Sequence, residues 1–236
     1  GYFGGAAPLP EDTLSQLRQL HGAIIYDVYG ATENTAFATV TPWGGKVKFG
    51  TVGVPLPGTD IKIVDLDTGT RELPPKEAGE ICIKGPQVMS GYYKKPEETA
   101  QALKDGWFYT GDIGFFDEDG YLTISDRKKD MICASGFNIY PKEVDEILFG
   151  HPKILEACCI GVPDEYRGET VKAYVVVQPG ETLTEQEVIA YCKGKMTGYK
   201  VPTQVEFIDQ LPKSAIGKIM RREVRDMDKK KREGRS

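Results

Sequence analysis

From about Lys46 to Ser125 the apolar residues of this chain come in short alternating runs, Ile61 with Ile63 and Ile81 with Ile83, broken by Pro55, Pro57, Gly58, Pro74, Pro75 and Gly79. A period of two lays one face of a strand on a core, and the prolines and glycines turn the chain between strands. This segment is expected to form a small, distorted β-barrel or sandwich, interrupted by one short helix from Pro96 to Leu103. Upstream, Pro10 followed by Glu11 and Asp12 starts a helix with Leu14, Leu17 and Leu20 on one face, and Ile24 to Tyr29 reads as a buried strand. After Asp130 the pattern changes again. A strand around Met131 to Ala134, a helix from Pro141 to Phe149 and strands at Leu155–Gly161 and Lys172–Gln178 are predicted there. Thr184 with Glu187 makes a capping box before a helix holding Val188, Ile189 and Cys192, and Val205 to Ile208 supplies another strand. The fold class is α+β, in two domains of residues 1–128 and 129–236, with the barrel at 46–125 and the joint near Arg127 to Asp130.

Composition narrows the function. With 40% hydrophobic and 28% charged residues among 236, the chain is expected to fold rather than stay disordered. No stretch reaches the roughly 18 apolar residues needed to span a bilayer, and Gly1 opens neither a signal peptide nor a basic amphipathic leader, so a cytoplasmic setting is expected, with room for peripheral membrane contact. Five cysteines without framework spacing, two of them adjacent at Cys158 and Cys159 in an apolar run, read as reduced, buried thiols. The two histidines, His21 and His151, and the lack of a Cys-x-x-Cys pair speak against zinc; any metal should be a hard ion brought with phosphate. A net charge of −5 disfavours nucleic acid. The basic run Lys229-Lys230-Lys231-Arg232 reads as a solvated, partly frayed helix end, with phosphate contact as the sharper alternative.

Five short segments then join glycine or a turn to groups that can hold a nucleotide. Gly4-Gly5-Ala6-Ala7-Pro8-Leu9 lets the chain pass close to a flat ligand, or simply turns from strand to helix. Tyr29-Gly30-Ala31-Thr32-Glu33 offers an aromatic face, a permissive glycine, a hydroxyl and a carboxylate fit for a hard cation. Asp112, in Tyr109-Thr110-Gly111-Asp112, can accept from two neighbouring hydroxyls, although a turn aspartate is the plain alternative. Asp126-Arg127-Lys128-Lys129-Asp130 places cations at the domain joint, and Lys218 sits on a glycine-led turn in Pro212-Lys213-Ser214-Ala215-Ile216-Gly217-Lys218.

In that order these motifs resemble the acyl-adenylate-forming superfamily of acyl-CoA synthetases, luciferases and peptide-synthetase adenylation domains. The segment from Asp126 to Ile132, with Ser135-Gly136-Phe137-Asn138, is most similar to long-chain fatty acyl-CoA synthetases. The resemblance implies ATP, Mg²⁺ and coenzyme A as the reaction's companions and a fatty acid as substrate. It places Gly5 and Ala6 beside adenine and the acyl pocket, Tyr29 on adenine, Gly30 in the same loop, and Asp27 on the adenine amino group. Thr32 falls on the α-phosphate, Glu33 on Mg²⁺, Asp112 on the ribose, and Arg127 on ribose or phosphate. Lys129 corresponds to the hinge of a mobile C-terminal lid, Gly136 and Phe137 to the loop bordering the CoA thiol, and Lys218 to the catalytic lysine of the first half-reaction. Where luciferases carry an oxidation-supporting lysine this chain has Cys133, which disfavours light emission. No Ser/Thr/Gly-rich phosphate loop ending in lysine is present, and the motifs begin within the first residues, so a C-terminal fragment unable to complete the reaction is expected. An aryl-CoA ligase, another acid-adenylating enzyme and a noncatalytic nucleotide-binding module stand as alternatives.

Overall fold

The computed structural model describes residues 2–4, 19, 20, 22, 24–215 and 217–234. Gly5, Ala6 and most of the helix expected after Pro10 lie outside the described residues. Contacts within the chain gather into two compact units, Gly1–Lys128 and Lys129–Ser236.

The first unit opens with a four-stranded sheet in the order β1 (Tyr2–Gly4), β2 (Ile25–Tyr29), β3 (Thr39–Val40) and β4 (Val54–Pro55). β1 and β2 run parallel, with Gly4 opposite Asp27, so both strands deliver their carboxyl ends to the same edge of the sheet. In open sheets with parallel strands that edge is where ligands collect.

A second, antiparallel sheet follows. β5 (Asp60–Val64) pairs with β6 (Gly79–Lys84), which pairs with β8 (Trp107–Phe116); β8 also takes β7 (Leu103–Lys104) and β9 (Leu122–Arg127). The short helix α1 (Pro96–Ala102) leads into β7. Ile63, Ile81, Ile83, Phe108 and Leu122 form the core. Cys82 is buried between Ile81 and Ile83, so β6 is covered on both faces and does not alternate as a half-exposed strand would. Among the described strands no pairing closes β5 onto β9, and the expected barrel is an open, bulged sheet in its hydrogen bonding.

The second unit is a five-stranded sheet covered on both faces. β10 (Ile132–Ala134), β11 (Phe137–Ile139), β12 (Ile154–Asp164) and β13 (Gly168–Val177) lie in the order β11-β10-β13-β12, and β14 (Gln204–Phe207) runs parallel to β13. Period two along β12 sorts its side chains. Ala157 and Cys159 join a core with Val144 and Leu148 of α2 (Pro141–Phe149) and Val188 and Cys192 of α3 (Glu185–Lys193). Cys158, Ile160 and Val162 join another with Tyr174 and Val224 of α4 (Arg221–Glu233). Adjacent Cys158 and Cys159 therefore face opposite layers. Burial lifts the Cys158 thiol to about 12, which keeps it protonated and inert. All five cysteines are free, and only Cys133 is exposed.

The basic run Lys229–Arg232 is an exposed but ordered part of α4, which continues through Glu233, and Asp228 on the same helix is fully buried. Asp228 accepts from Lys172 Nζ at 2.6 Å, from the Tyr174 hydroxyl at 2.7 Å and from Arg232 Nε at 2.7 Å, while Lys231 pairs with Glu206. A buried carboxylate with three charge-assisted partners anchors the helix. No helix among the described residues is long and apolar enough to cross a membrane.

The capping box forms at the start of α3. Thr184 Oγ1 accepts from the Glu187 amide at 3.3 Å, and Glu187 Oε2 accepts from the Thr184 amide at 2.8 Å. Thr184→Ala leaves one helix-start amide without its partner and should lower stability by about 1 kcal/mol. Urea denaturation monitored by circular dichroism measures this; an unchanged midpoint would mean that α3 is held by its buried face alone.

Candidate functional site

β2 ends at Tyr29, and the chain doubles back at once. A Cβ on Gly30 would lie 1.9 Å from the Ala36 carbonyl oxygen, so glycine is demanded here by the protein's own returning backbone. The return passes through Thr35 and Ala36 at φ 54° and 79°, left-handed values unusual for residues with a Cβ. Inside the loop, Thr32–Asn34 form one tight helical turn, and the buried Asn34 side chain accepts from the Ala31 amide. Thr32 is left exposed at the start of that turn. Glu33 is half-buried. Its Oε1 accepts from the Tyr92 hydroxyl at 2.9 Å, and its backbone carbonyl accepts from the Met89 amide at 2.7 Å. Sequence reasoning missed Tyr92, which lies 59 positions away in a Gly-Tyr-Tyr run that showed no periodicity. A carboxylate held by one neutral donor keeps lone pairs for a hard cation, so Glu33 fits Mg²⁺.

Tyr29, Asp112 and Arg127 form one hydrogen-bonded chain. The Tyr29 hydroxyl donates to Asp112 Oδ2 at 2.8 Å, and Arg127 Nε donates to Asp112 Oδ1 at 3.0 Å. Asp112 on β8 and Arg127 on β9 are direct cross-strand partners, which places the pair by sheet register. Burial first, and the charge of Asp112 next, raise the Tyr29 hydroxyl well above the ordinary tyrosine range, so it stays a donor. Each carboxylate oxygen of Asp112 has one protein partner, which leaves acceptor capacity on both for a vicinal diol. Asp27, two residues before Tyr29 on β2, shares its face; burial raises its carboxyl above the usual aspartate value. A second carboxylate was also missed from sequence. Buried Glu80 accepts from the Gly111 amide at 3.1 Å and from Lys128 Nζ at 2.9 Å.

In the second unit, Lys129 lies in a short helical turn, Lys128–Asp130, and its carbonyl accepts from Arg225 Nη1 at 2.7 Å. Asp130 is buried and pairs with Arg225 Nη2 at 2.8 Å. Gly136 lies in a tight turn ahead of α2. Ser135 and Gly136, at φ 51° and 81°, are the two-residue loop of a β10–β11 hairpin in which Ala134 pairs with Phe137. Positive φ at both positions is what a type I′ turn requires. Phe137 is exposed and stacks on Tyr199, ring centres 4.6 Å apart. Lys218 is exposed on a tight loop: the Ser214 amide donates to the Lys218 carbonyl at 2.8 Å, the Gly217 amide to the Ser214 carbonyl at 2.9 Å, and Gly217 takes φ 79°.

Profiles of known families match both units. The profile described as AMP-binding enzyme matches residues 2–93, and that described as AMP-binding enzyme C-terminal domain matches residues 143–218. The chain belongs to the AMP-binding enzyme family. The first match contains Asp27, Tyr29, Gly30, Thr32 and Glu33, and the second ends on Lys218. Among relatives, the long-chain-fatty-acid–CoA ligase of Escherichia coli O6:H1 is 45% identical over 223 residues, which are 94% of this chain and 39% of that protein. A 2-succinylbenzoate–CoA ligase of Geobacillus kaustophilus is 40% identical over 94% of this chain and 44% of its own length. ATP-bound MatB from Rhodopseudomonas palustris superposes with a TM-score of 0.89 at 38% identity, covering 95% of this chain and 44% of that one. The chain thus spans about two fifths of the length of the curated relatives it matches.

Proposed function

We propose that the complete gene product is an AMP-forming acyl-CoA synthetase that activates a fatty acid, long-chain by preference, with ATP and passes the acyl group to coenzyme A. The observation that carries this is the Tyr29–Asp112–Arg127 chain, a buried aromatic hydroxyl and a guanidinium holding one carboxylate, in a chain whose family is defined by AMP binding. Asp112 would take the ribose hydroxyls with Arg127 beside it, Tyr29 the adenine face, Asp27 the adenine amino group, and Thr32 the α-phosphate; Gly5 and Ala6 would border the base. Glu33 would hold Mg²⁺, which when bound supplies charge neutralisation at the phosphates.

Residues 1–128 then act as part of the nucleotide-binding domain and residues 129–236 as a lid that turns about Lys129. In one orientation Lys218 stabilises charge between carboxylate and α-phosphate; in the other, Gly136 and Phe137 border the incoming thiol. A cytoplasmic setting agrees with the buried free thiols. The 45% identity to a long-chain fatty acid ligase supports the fatty acid, and the 40% identity to a 2-succinylbenzoate ligase favours an aromatic acid as the second reading.

Acid-dependent exchange of pyrophosphate into ATP, run with the complete gene product and a panel of acids, separates these. Exchange driven best by long-chain fatty acids is expected. Strongest exchange with an aryl acid would replace the substrate, and no exchange with any acid by folded protein would favour a noncatalytic nucleotide-binding module.

A further inference from the structure

Asp112 stands in a break in its sheet. Glu80 of β6 pairs with Ile113 of β8 and Cys82 pairs with Tyr109, so two steps along β6 are matched by four along β8. Thr110, Gly111 and Asp112 therefore bulge out opposite Ile81 and lose their ladder partners on β6, while Asp112 keeps Arg127 on β9. Side chains replace what the ladder gives up. Thr110 Oγ1 donates to the Ile81 carbonyl at 2.9 Å and accepts from the Asp112 amide at 3.0 Å. Glu80 Oε1 accepts from the amide of Gly111, which sits at φ 71° with open space where a Cβ would point; conformation alone requires the glycine.

The other oxygen of Glu80 reaches in the opposite direction. Oε2 pairs with Lys128 Nζ at 2.9 Å, and the Glu80 side chain is only 8% exposed. A carboxylate at that depth is costly unless both oxygens are satisfied, and here they are spent on two chosen places. One is the residue before Asp112; the other is the residue after Arg127. Asp112 and Arg127 are themselves cross-strand partners. Glu80 thus binds the residues that flank both members of the Asp112–Arg127 ion pair.

We propose that Glu80, acting with Lys128, is a positioning residue that sets the Asp112–Arg127 pair for a ribose diol. This rests on the reading that Asp112 and Arg127 hold a ribose. Glu80 need not touch the nucleotide: it fixes the bulge that aims Asp112 and the strand end that aims Arg127, so its removal should blur recognition of the sugar hydroxyls.

The test is the preference of the complete gene product for ATP over 2′-deoxy-ATP and over 3′-deoxy-ATP, each as kcat/KM in pyrophosphate exchange. General loss of folded protein scales all three nucleotides alike and leaves these ratios unchanged. Glu80→Ala should lower the preference by about tenfold, the scale of one charge-assisted hydrogen bond. Glu80→Gln, which keeps an acceptor for Gly111 but loses the charge facing Lys128, should fall between that variant and wild type. Lys128→Met should also lower the ratio, and with Glu80→Gln it carries the test if Glu80→Ala does not fold. A discriminating wild type with unchanged ratios in the folded variants overturns the proposal and leaves the ribose reading standing. A wild type indifferent to both hydroxyls sinks the ribose reading, and this proposal with it.

Discussion

In the complete gene product, Lys218→Ala should slow formation of the acyl-adenylate by about 100-fold or more, the usual loss when one preorganised charge-stabilising group is removed. Thioester formation from supplied acyl-adenylate should change little, because the charge that Lys218 would stabilise develops only in the first half-reaction. The lysine is exposed, and its loop is closed by backbone bonds between Ser214, Gly217 and Lys218, so truncation at Cβ leaves the loop's own bonding in place. Measuring the two half-reactions separately decides the matter. Equal losses in both would remove Lys218 from the role assigned to it.

Arg221→Met should cost about 3 to 5 kcal/mol of stability, the scale for stranding a buried charge. Arg221 opens α4 and ties three elements together. Its guanidinium pairs with Asp145 of α2, its Nε donates to the Cys159 carbonyl of β12 at 3.0 Å, and Nη1 lies 3.8 Å from Asp130 beside Lys129. Asp145 also accepts from the Cys159 amide at 2.7 Å. Burial lifts its carboxyl from 3.8 to about 6, against the pull of Arg221. A folded value above the unfolded one means that the folded state keeps the extra proton between the two. This group therefore makes stability fall as pH rises from about 4 to about 6, and has no further effect above that. Without the guanidinium the carboxyl climbs higher and the fall extends further. The deficit of the variant should thus be smaller at pH 5 than at pH 8 in urea denaturation. A small deficit, equal at both, would contradict the pairing.

Local rules made much of the second unit legible. Pro141 at a helix start and the apolar spacing of Val144 and Leu148 define α2 to its last residue, and the Thr184–Glu187 pair marks the start of α3. The β10–β11 hairpin was hidden because Ser135, a residue with a Cβ, takes the left-handed conformation normally signalled by Asn or Gly. The last helix looked loose because its anchors, Lys172, Tyr174 and Glu206, lie on strands distant in sequence. The same distance concealed two supporting residues of the candidate site. Tyr29 and Asp112 were marked by their motifs, whereas Tyr92 and Glu80 act through pairings 59 and 31 positions apart that no periodicity carries. The open sheet in place of a closed barrel has a similar origin, since closure depends on which edges meet and not on how each strand alternates.

The most direct measurement is the identity of the nucleotide product when the complete gene product turns over ATP, CoA and a long-chain fatty acid. Ion-exchange separation of labelled nucleotides, alongside quantified acyl-CoA, gives it in one experiment. One AMP and one pyrophosphate for each acyl-CoA, with no AMP when the acid is withheld, is the predicted result. ADP and phosphate as products, or AMP release indifferent to the acid, would contradict activation of a carboxylate through its adenylate.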